Sequence, residues 1–161
     1  FKMMDFKTHA HRAAYEKTRE FLYAIFGETG VNVIDDLFAL QEGSAFVYIR
    51  VFPVGTSSAG VEVFSYVVAD VGVTEELMRH LLAHNLRLTF GGLGLAIAED
   101  GRGSVVLRHA ILGDKMDREE LYASVSAIAS VADEIDDQLV AAFGGSTALD
   151  EIQYRERRRP G

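Results

Sequence analysis

The stretch DREELYASVSAIASVADEIDDQLVAAFGG, from Asp117 to Gly145, predicts one long helix that organises the fold. Asp117 is typical of a helix N-cap, and Gly144, just past Phe143, is typical of a helix end. Between them apolar residues recur every three or four positions, which places them on one helix face. They are Leu121, Val125, Ile128, Ala132, Ile135, Leu139 and Phe143. This stripe is roughly 40 Å long, longer than any partner helix predicted elsewhere, so we expect a sheet beneath it.

The rest of the chain predicts two further helices and five strands. One helix is expected over Thr8–Phe26, and another begins after Thr74, a suitable N-cap. The strands are expected over Asp36–Gln41, Ser44–Phe52, Val61–Asp70, Leu93–Ala98 and Ser104–Leu112. We therefore predict a two-layer α+β fold in the order helix, three strands, helix, two strands, helix, with an antiparallel sheet packed on the helices.

Length and charge limit the kind of protein. The 161 residues predict a single domain over residues 1–145, followed by a disordered basic tail over 146–161. The net charge is −8, and the last seven residues, with four Arg and one Glu, contribute +3, so the rest carries −11. Such an acidic body argues against a nucleic-acid partner. Since no apolar run approaches about 18 residues and no secretory signal is apparent, we expect no membrane insertion and a cytoplasmic location.

Residue patterns that carry chemistry are weak. His80 and His84 have the spacing of a helical metal-binding pair, but no third ligand lies near them in sequence. The acidic run Asp133–Asp137 is interpreted as the edge of a solvated helix face. The glycine-rich stretch Phe90–Gly94 follows a helix and opens a strand, which is the reverse of a phosphate-binding loop. We therefore predict no catalytic residues, no metal and no cofactor, and an enzyme or small-molecule binder is the least favoured class.

The strand predicted over Ser44–Phe52 is apolar on both faces. Alternation places Ala45, Val47, Ile49 and Val51 on one face, and Phe46, Tyr48, Arg50 and Phe52 on the other. The next strand adds Phe64 and Tyr66. A two-layer fold covers only one face of its sheet, so these aromatic residues either form an exposed interaction patch or are covered by the first helix or a loop.

Several segments, taken in order, resemble a known family. They are GSAFVYIRV (43–51), VEVFSYVVADV (61–71), the pattern Thr74, Glu76, Leu77, Leu81 and Asn85, VVLRHAILGD (105–114), and ADEIDDQL followed by FGG ending at Gly145. This set resembles the bacterial YbjN-like proteins and the CesT/Tir-type type III secretion chaperones. The resemblance implies the same order of helices and strands, with a non-catalytic role in binding a client protein or peptide. It also implies a cytoplasmic homodimer.

The resemblance directs attention to two surfaces. We expect an extended client segment to bind along the aromatic strand face by strand addition, with Arg50 available for a client carboxylate. The candidate contacts are Phe46, Tyr48, Arg50, Phe64 and Tyr66. The second helix has more apolar surface than one sheet contact needs, so Met78, Leu82 and Leu86 are the candidate dimer interface. The alternative is a YbjN-type regulatory or adaptor domain that acts through one fixed, folded partner.

Overall fold

A computed structural model describes residues 4–150 and Arg157. Its helices are α1 (His9–Phe26), α2 (Glu75–Asn85) and α3 (Arg118–Phe143), with a short 3-10 turn at Glu28–Gly30. Its strands are β1 (Asn32–Ile34), β2 (Leu37–Glu42), β3 (Ala45–Val54), β4 (Ser58–Gly72), β5 (Gly92–Ile97) and β6 (Arg102–Leu112). The predicted α+β class is confirmed.

Each long helix begins at a side chain that satisfies a free backbone N–H group. Thr8 Oγ1 accepts a hydrogen bond from the His11 amide at 3.0 Å, and Thr74 Oγ1 accepts one from Leu77 at 3.1 Å. Asp117 accepts from the Glu120 amide at 2.7 Å. The helix starts predicted from the sequence are therefore confirmed, because the capping residues occupy the roles that their side chains favour.

The strands form one antiparallel sheet in the order β1-β2-β3-β4-β6-β5. The apolar stripe of α3 faces this sheet: Leu121, Val125 and Ile128 are fully buried against it. On the other side of the same core lie alternate residues of β3 and β4, such as Val47 and Val61. The prediction that a sheet covers the long helix is confirmed.

The sheet has one strand more than predicted. Strand β1 is three residues long, and all three are exposed. It pairs with β2 from Asn32 opposite Ala39 to Ile34 opposite Leu37. A strand of three residues shows too little alternation to be recognised in the sequence. Four strands therefore precede α2, where three were predicted. Strand β4 is also longer than expected, because it begins at Ser58 and continues through two register shifts to Gly72.

The ordered chain continues beyond the predicted boundary at Gly145. Ser146 forms two backbone hydrogen bonds with Ala69, of 2.8 and 2.9 Å, and Thr147 is buried. Ala69 lies within the second register shift of β4, between Val68 and Val71, where pairing with β6 is interrupted, so Ser146 satisfies its backbone groups. Thr147 and Asp150 also exchange two hydrogen bonds. The predicted start of a disordered tail at 146 is therefore too early, and its remainder lies outside the described residues except for Arg157.

Candidate functional site

The two faces of the sheet have different neighbours. The core face is covered by α1 and α3, while the candidate binding residues lie on the opposite face, named here the open face. Cross-strand partners share a face, so the pairs Tyr48–Phe64 and Arg50–Glu62 define it on β3 and β4. Within residues 4–150 no helix packs over these pairs. The first helix therefore does not cover these residues, because it packs on the core face, and their role as an interaction patch stays a prediction.

Three aromatic rings form a contiguous cluster on the open face. Tyr48 and Phe64 stack with their centroids 5.5 Å apart, and Tyr66 meets both rings edge-on at 6.2 and 5.9 Å. We call Tyr48, Phe64 and Tyr66 the three-ring cluster. Such offset and edge-to-face contacts fix the rings relative to one another. Phe46 lies on the same face, opposite Gln41, and is half-buried outside the cluster.

Arg50, predicted to be available for a client carboxylate, is already paired with a carboxylate of this chain. Its Nη2 lies 2.6 Å from Glu62 Oε2, and Arg108 Nε lies 3.0 Å from Glu62 Oε1. Glu62 is only 7% exposed, whereas both arginine side chains remain about half exposed. We call Arg50, Glu62 and Arg108 the charged triad. It carries a net charge of +1 beside the three-ring cluster, since Phe64 pairs directly with Arg108 across β4 and β6.

The environment of Arg50 explains a glycine in β4. The Arg50 guanidinium lies 5.7 Å from the centroid of the Phe52 ring. That ring lies over Gly60, where an added Cβ would come within 2.3 Å of Phe52 Cζ. Gly60 therefore allows Phe52 to cover β4, and Phe52 in turn supports the arginine through a cation–π contact.

The strand order excludes strand addition next to the three-ring cluster. Its residues belong to β3 and β4, which are interior strands, and the sheet edges are β1 and β5. One strand separates the cluster from either edge strand, so an added strand would lie more than about 10 Å away. The Asn85 side chain also occupies part of the β5 edge, because its amide exchanges two hydrogen bonds with the Leu93 backbone, of 2.7 and 3.1 Å. The predicted combination of strand addition with contacts to the three-ring cluster is therefore wrong.

The predicted dimer residues form an exposed ridge on α2. The helix buries Leu77 and Leu81 against the domain. Met78, Leu82 and Leu86, at successive i, i+4 spacings, are 40, 69 and 90% exposed. We call these three residues the α2 ridge. Among residues 4–150 the ridge takes no part in the core, and exposed apolar surface of this kind is typical of contacts with another protein.

The acidic run of α3 is more than a solvated edge. Asp136 is buried, and its Oδ2 lies 2.9 Å from the Ser44 hydroxyl, which also contacts Asp133. The Ser44 amide donates to Asp133 at 2.9 Å. These hydrogen bonds from Ser44 lower the pKa of Asp133, whereas burial raises the pKa of Asp136. The Ser44 hydroxyl and amide together link these carboxylates to the β2–β3 turn and so fasten that turn to α3.

The histidine pair of α2 lies at the protein surface, with His80 exposed and His84 half-buried. The His80 and His84 rings are 6.1 Å apart, and His80 lies 5.3 Å from the Phe143 ring. Burial, Arg87 and His80 lower the pKa of His84. Among the residues that the structure describes, no group of three His, Cys, Asp or Glu side chains is placed to hold a metal ion. No described helix is long and apolar enough to cross a membrane.

A sheet covered on one face, with an aromatic cluster on the other, defines a small α+β binding protein. A family model matches residues 14–151, and the chain belongs to that family, the T3SS (YopN, CesT) and YbjN peptide-binding chaperones, group 1. The resemblance seen in the sequence is thereby confirmed. The family is a class of binding protein, in agreement with a client protein or peptide as partner. No curated protein matches this chain.

Two solved structures share the fold. The crystal structure of YbjN from E. coli has a TM-score of 0.54 and 13% sequence identity, covering 76% of this chain and 91% of that chain. The crystal structure of the ExsC–ExsE complex has a TM-score of 0.50 and 18% identity, covering 76% of this chain and 93% of that chain. At these identities the likeness establishes the α+β architecture alone.

Proposed function

We propose that this protein is a non-catalytic chaperone or adaptor that binds a client segment across the open face. The carrying observation is the three-ring cluster, which is assembled on interior strands without a cover from the described residues. Aromatic rings provide a large apolar contact area and lose little rotamer entropy on binding. Because the rings already contact one another, a client would meet a preorganised surface.

The family supports a peptide as the client, since it is a family of peptide-binding chaperones. The fold also occurs in the ExsC–ExsE complex, in which two proteins bind each other. The client segment would lie on the sheet, because the interior position of the rings excludes them from an edge pairing. Phe46 extends the proposed contact surface along β3.

The α2 ridge supports a second part of the proposal, a homodimer. Met78, Leu82 and Leu86 are exposed, carry no charge and lie on α2, whereas the open face is formed by β3 and β4. Burying them against a second copy would leave the open face of each copy accessible, so dimerisation and client binding would use separate surfaces. The acidic body agrees with a cytoplasmic chaperone of this type.

Photo-crosslinking tests the client surface with two matched tyrosines. Tyr66 on the open face is 45% exposed, and Tyr122 on α3 is 52% exposed. We would replace each in turn by p-benzoylphenylalanine, irradiate the protein in native lysate, and identify the adducts by mass spectrometry. We expect adducts with segments of client proteins from position 66 and few from position 122, because only the former belongs to the proposed surface.

The outcomes separate the two classes of function. Adducts of many unfolded segments at position 66 support a chaperone, and a single folded protein at that position supports the adaptor alternative. Equal adduct yields at positions 66 and 122, or none above background at 66, would refute the open face as the binding surface. Circular dichroism of both variants confirms that the substitutions leave the fold intact.

A further inference from the structure

We propose that the charged triad selects clients carrying a side-chain carboxylate among apolar residues. This inference rests on the proposed function, because it assigns a specificity to the open face. The occupant is a partner peptide in which Asp or Glu lies over Arg50 and Arg108, while its apolar neighbours contact the three-ring cluster.

The first support is charge. The triad contains two guanidinium groups and one carboxylate, so one positive charge is uncompensated within it. The whole chain carries a net charge of −8. A local cationic site on an acidic protein discriminates by electrostatic complementarity, since it attracts a carboxylate while the surrounding body repels additional acidic groups.

The second support is the supply of hydrogen-bond donors. A guanidinium group has five N–H donors. Arg50 reaches Glu62 through Nη2 and Arg108 does so through Nε, which leaves further donors on both half-exposed side chains. Arginine is suited to bind carboxylates with two parallel hydrogen bonds. Glu62 faces both groups, with one carboxylate oxygen toward each arginine, and it compensates only one of the two positive charges.

The third support is the spacing between charge and rings. On β4, Glu62 and Phe64 are two residues apart on the same face. Alternate residues of an extended chain are separated by roughly 6.6 Å. A client residue over the triad would therefore have its second neighbour above the Tyr48–Phe64 pair. The surface combines one polar contact with an adjoining apolar one, as specific binding sites commonly do.

A displayed random-peptide library tests the inference. The peptides are fused to phage at their C-termini, so any carboxylate that they present comes from a side chain. We expect wild-type protein to enrich sequences with Asp or Glu between apolar residues. Enrichment of apolar peptides without acidic residues would overturn this inference and leave the proposed function standing, whereas no enrichment at all would refute both.

Affinities of one selected peptide and its Glu→Gln form give the sharper measurement. Hydrogen bonds to charged groups contribute about 1.5–3 kcal/mol, so we expect Arg108→Gln to weaken binding of the acidic peptide about ten- to a hundredfold. The Gln peptide should bind wild type and Arg108→Gln almost equally. Arg79→Gln is the matched control, because Arg79 also pairs with a carboxylate, that of Glu75, but lies on α2.

A variant with the opposite expected effect excludes a merely structural role for the triad. Glu62→Gln raises the charge of the site, so it should bind the acidic peptide at least as tightly as wild type. If Glu62→Gln and Arg108→Gln weaken binding alike, the triad only supports the sheet and the inference is wrong. Should Glu62→Gln fail to fold, Arg50→Gln removes the second positive charge of the triad. It must then weaken binding of the acidic peptide as Arg108→Gln does. Concentration-dependent self-association abolished by Arg108→Gln would instead assign the face to a second copy.

Discussion

Alanine substitution at two adjacent glycines gives a direct test of how the chain ends. Gly144 and Gly145 have φ angles of 82° and 81°, which a residue with a Cβ atom adopts only under strain. An added Cβ at Gly144 would meet nothing within 4 Å. At Gly145 it would lie 2.5 Å from the Ala69 carbonyl oxygen, which cannot move without disturbing β4.

The two substitutions should therefore differ in cost. Backbone strain alone predicts that Gly144→Ala lowers the free energy of unfolding by about 1–3 kcal/mol. Gly145→Ala adds the loss of both Ala69–Ser146 hydrogen bonds, which contribute about 1 kcal/mol each. We expect Gly145→Ala to be less stable than Gly144→Ala by about 2 kcal/mol, or about 4–8 °C in Tm for a chain of this size.

Urea unfolding followed by circular dichroism measures both variants in the same buffer. A chain truncated after Gly145 is a useful third protein, because it loses the two hydrogen bonds and the buried Thr147 without adding backbone strain. It should be destabilised by a similar 2 kcal/mol or so. If Gly145→Ala is no less stable than Gly144→Ala, the segment after α3 does not dock on β4 and the reasoning fails.

Three further outcomes are expected. Ile128→Ala, in the fully buried stripe of α3, should cost about 2–5 kcal/mol, whereas exposed Asp137→Ala should remain within about 0.5 kcal/mol of wild type in urea unfolding; equal effects would contradict the orientation of α3. Burial raises the pKa of Asp136, so folding favours its protonated form, and the contribution of this group to stability is lost as pH rises above 3.8 toward the folded-state pKa. Relative to wild type, Asp136→Asn should therefore gain stability across that pH range. A stability difference that does not change with pH would refute the raised pKa of Asp136. Light scattering should give wild type twice the 17.7 kDa chain mass and Leu82→Glu the chain mass itself, and a monomeric wild type would refute the dimer.

The helices and the inner strands were predictable because their signals are local. Thr74 and Asp117 cap helices through hydrogen bonds to residues three positions later, so the sequence contains both partners. Strand β3 alternates apolar residues over its whole buried part, which fixes its two faces without knowledge of its neighbours. These elements were correctly placed to within a few residues.

The missed features depend on strand register. Glu62 could have been assigned to the open face, since it has the same parity as Phe64 in β4. Arg108 could not be placed beside it without knowing that β6, and not β5, pairs with β4. The strand order was also unknown when strand addition was predicted, so the sequence did not show that the rings lie on interior strands. Likewise, Ser146 pairs with β4 only because register shifts leave Ala69 free of β6.

The position of Glu62 shows why stability alone does not account for the open face. A largely buried carboxylate is costly to desolvate, and replacing such ion pairs by apolar residues is often neutral or stabilising by about 1–4 kcal/mol. An aliphatic residue at this interior position would fit the apolar rows on either side. It would, however, extend the exposed apolar surface and remove any preference among apolar partners. The triad interrupts that surface at its centre, with the arginines outward and the glutamate beneath them. Such a polar contact within an apolar site contributes specificity more than affinity, which is the property that we propose for the open face.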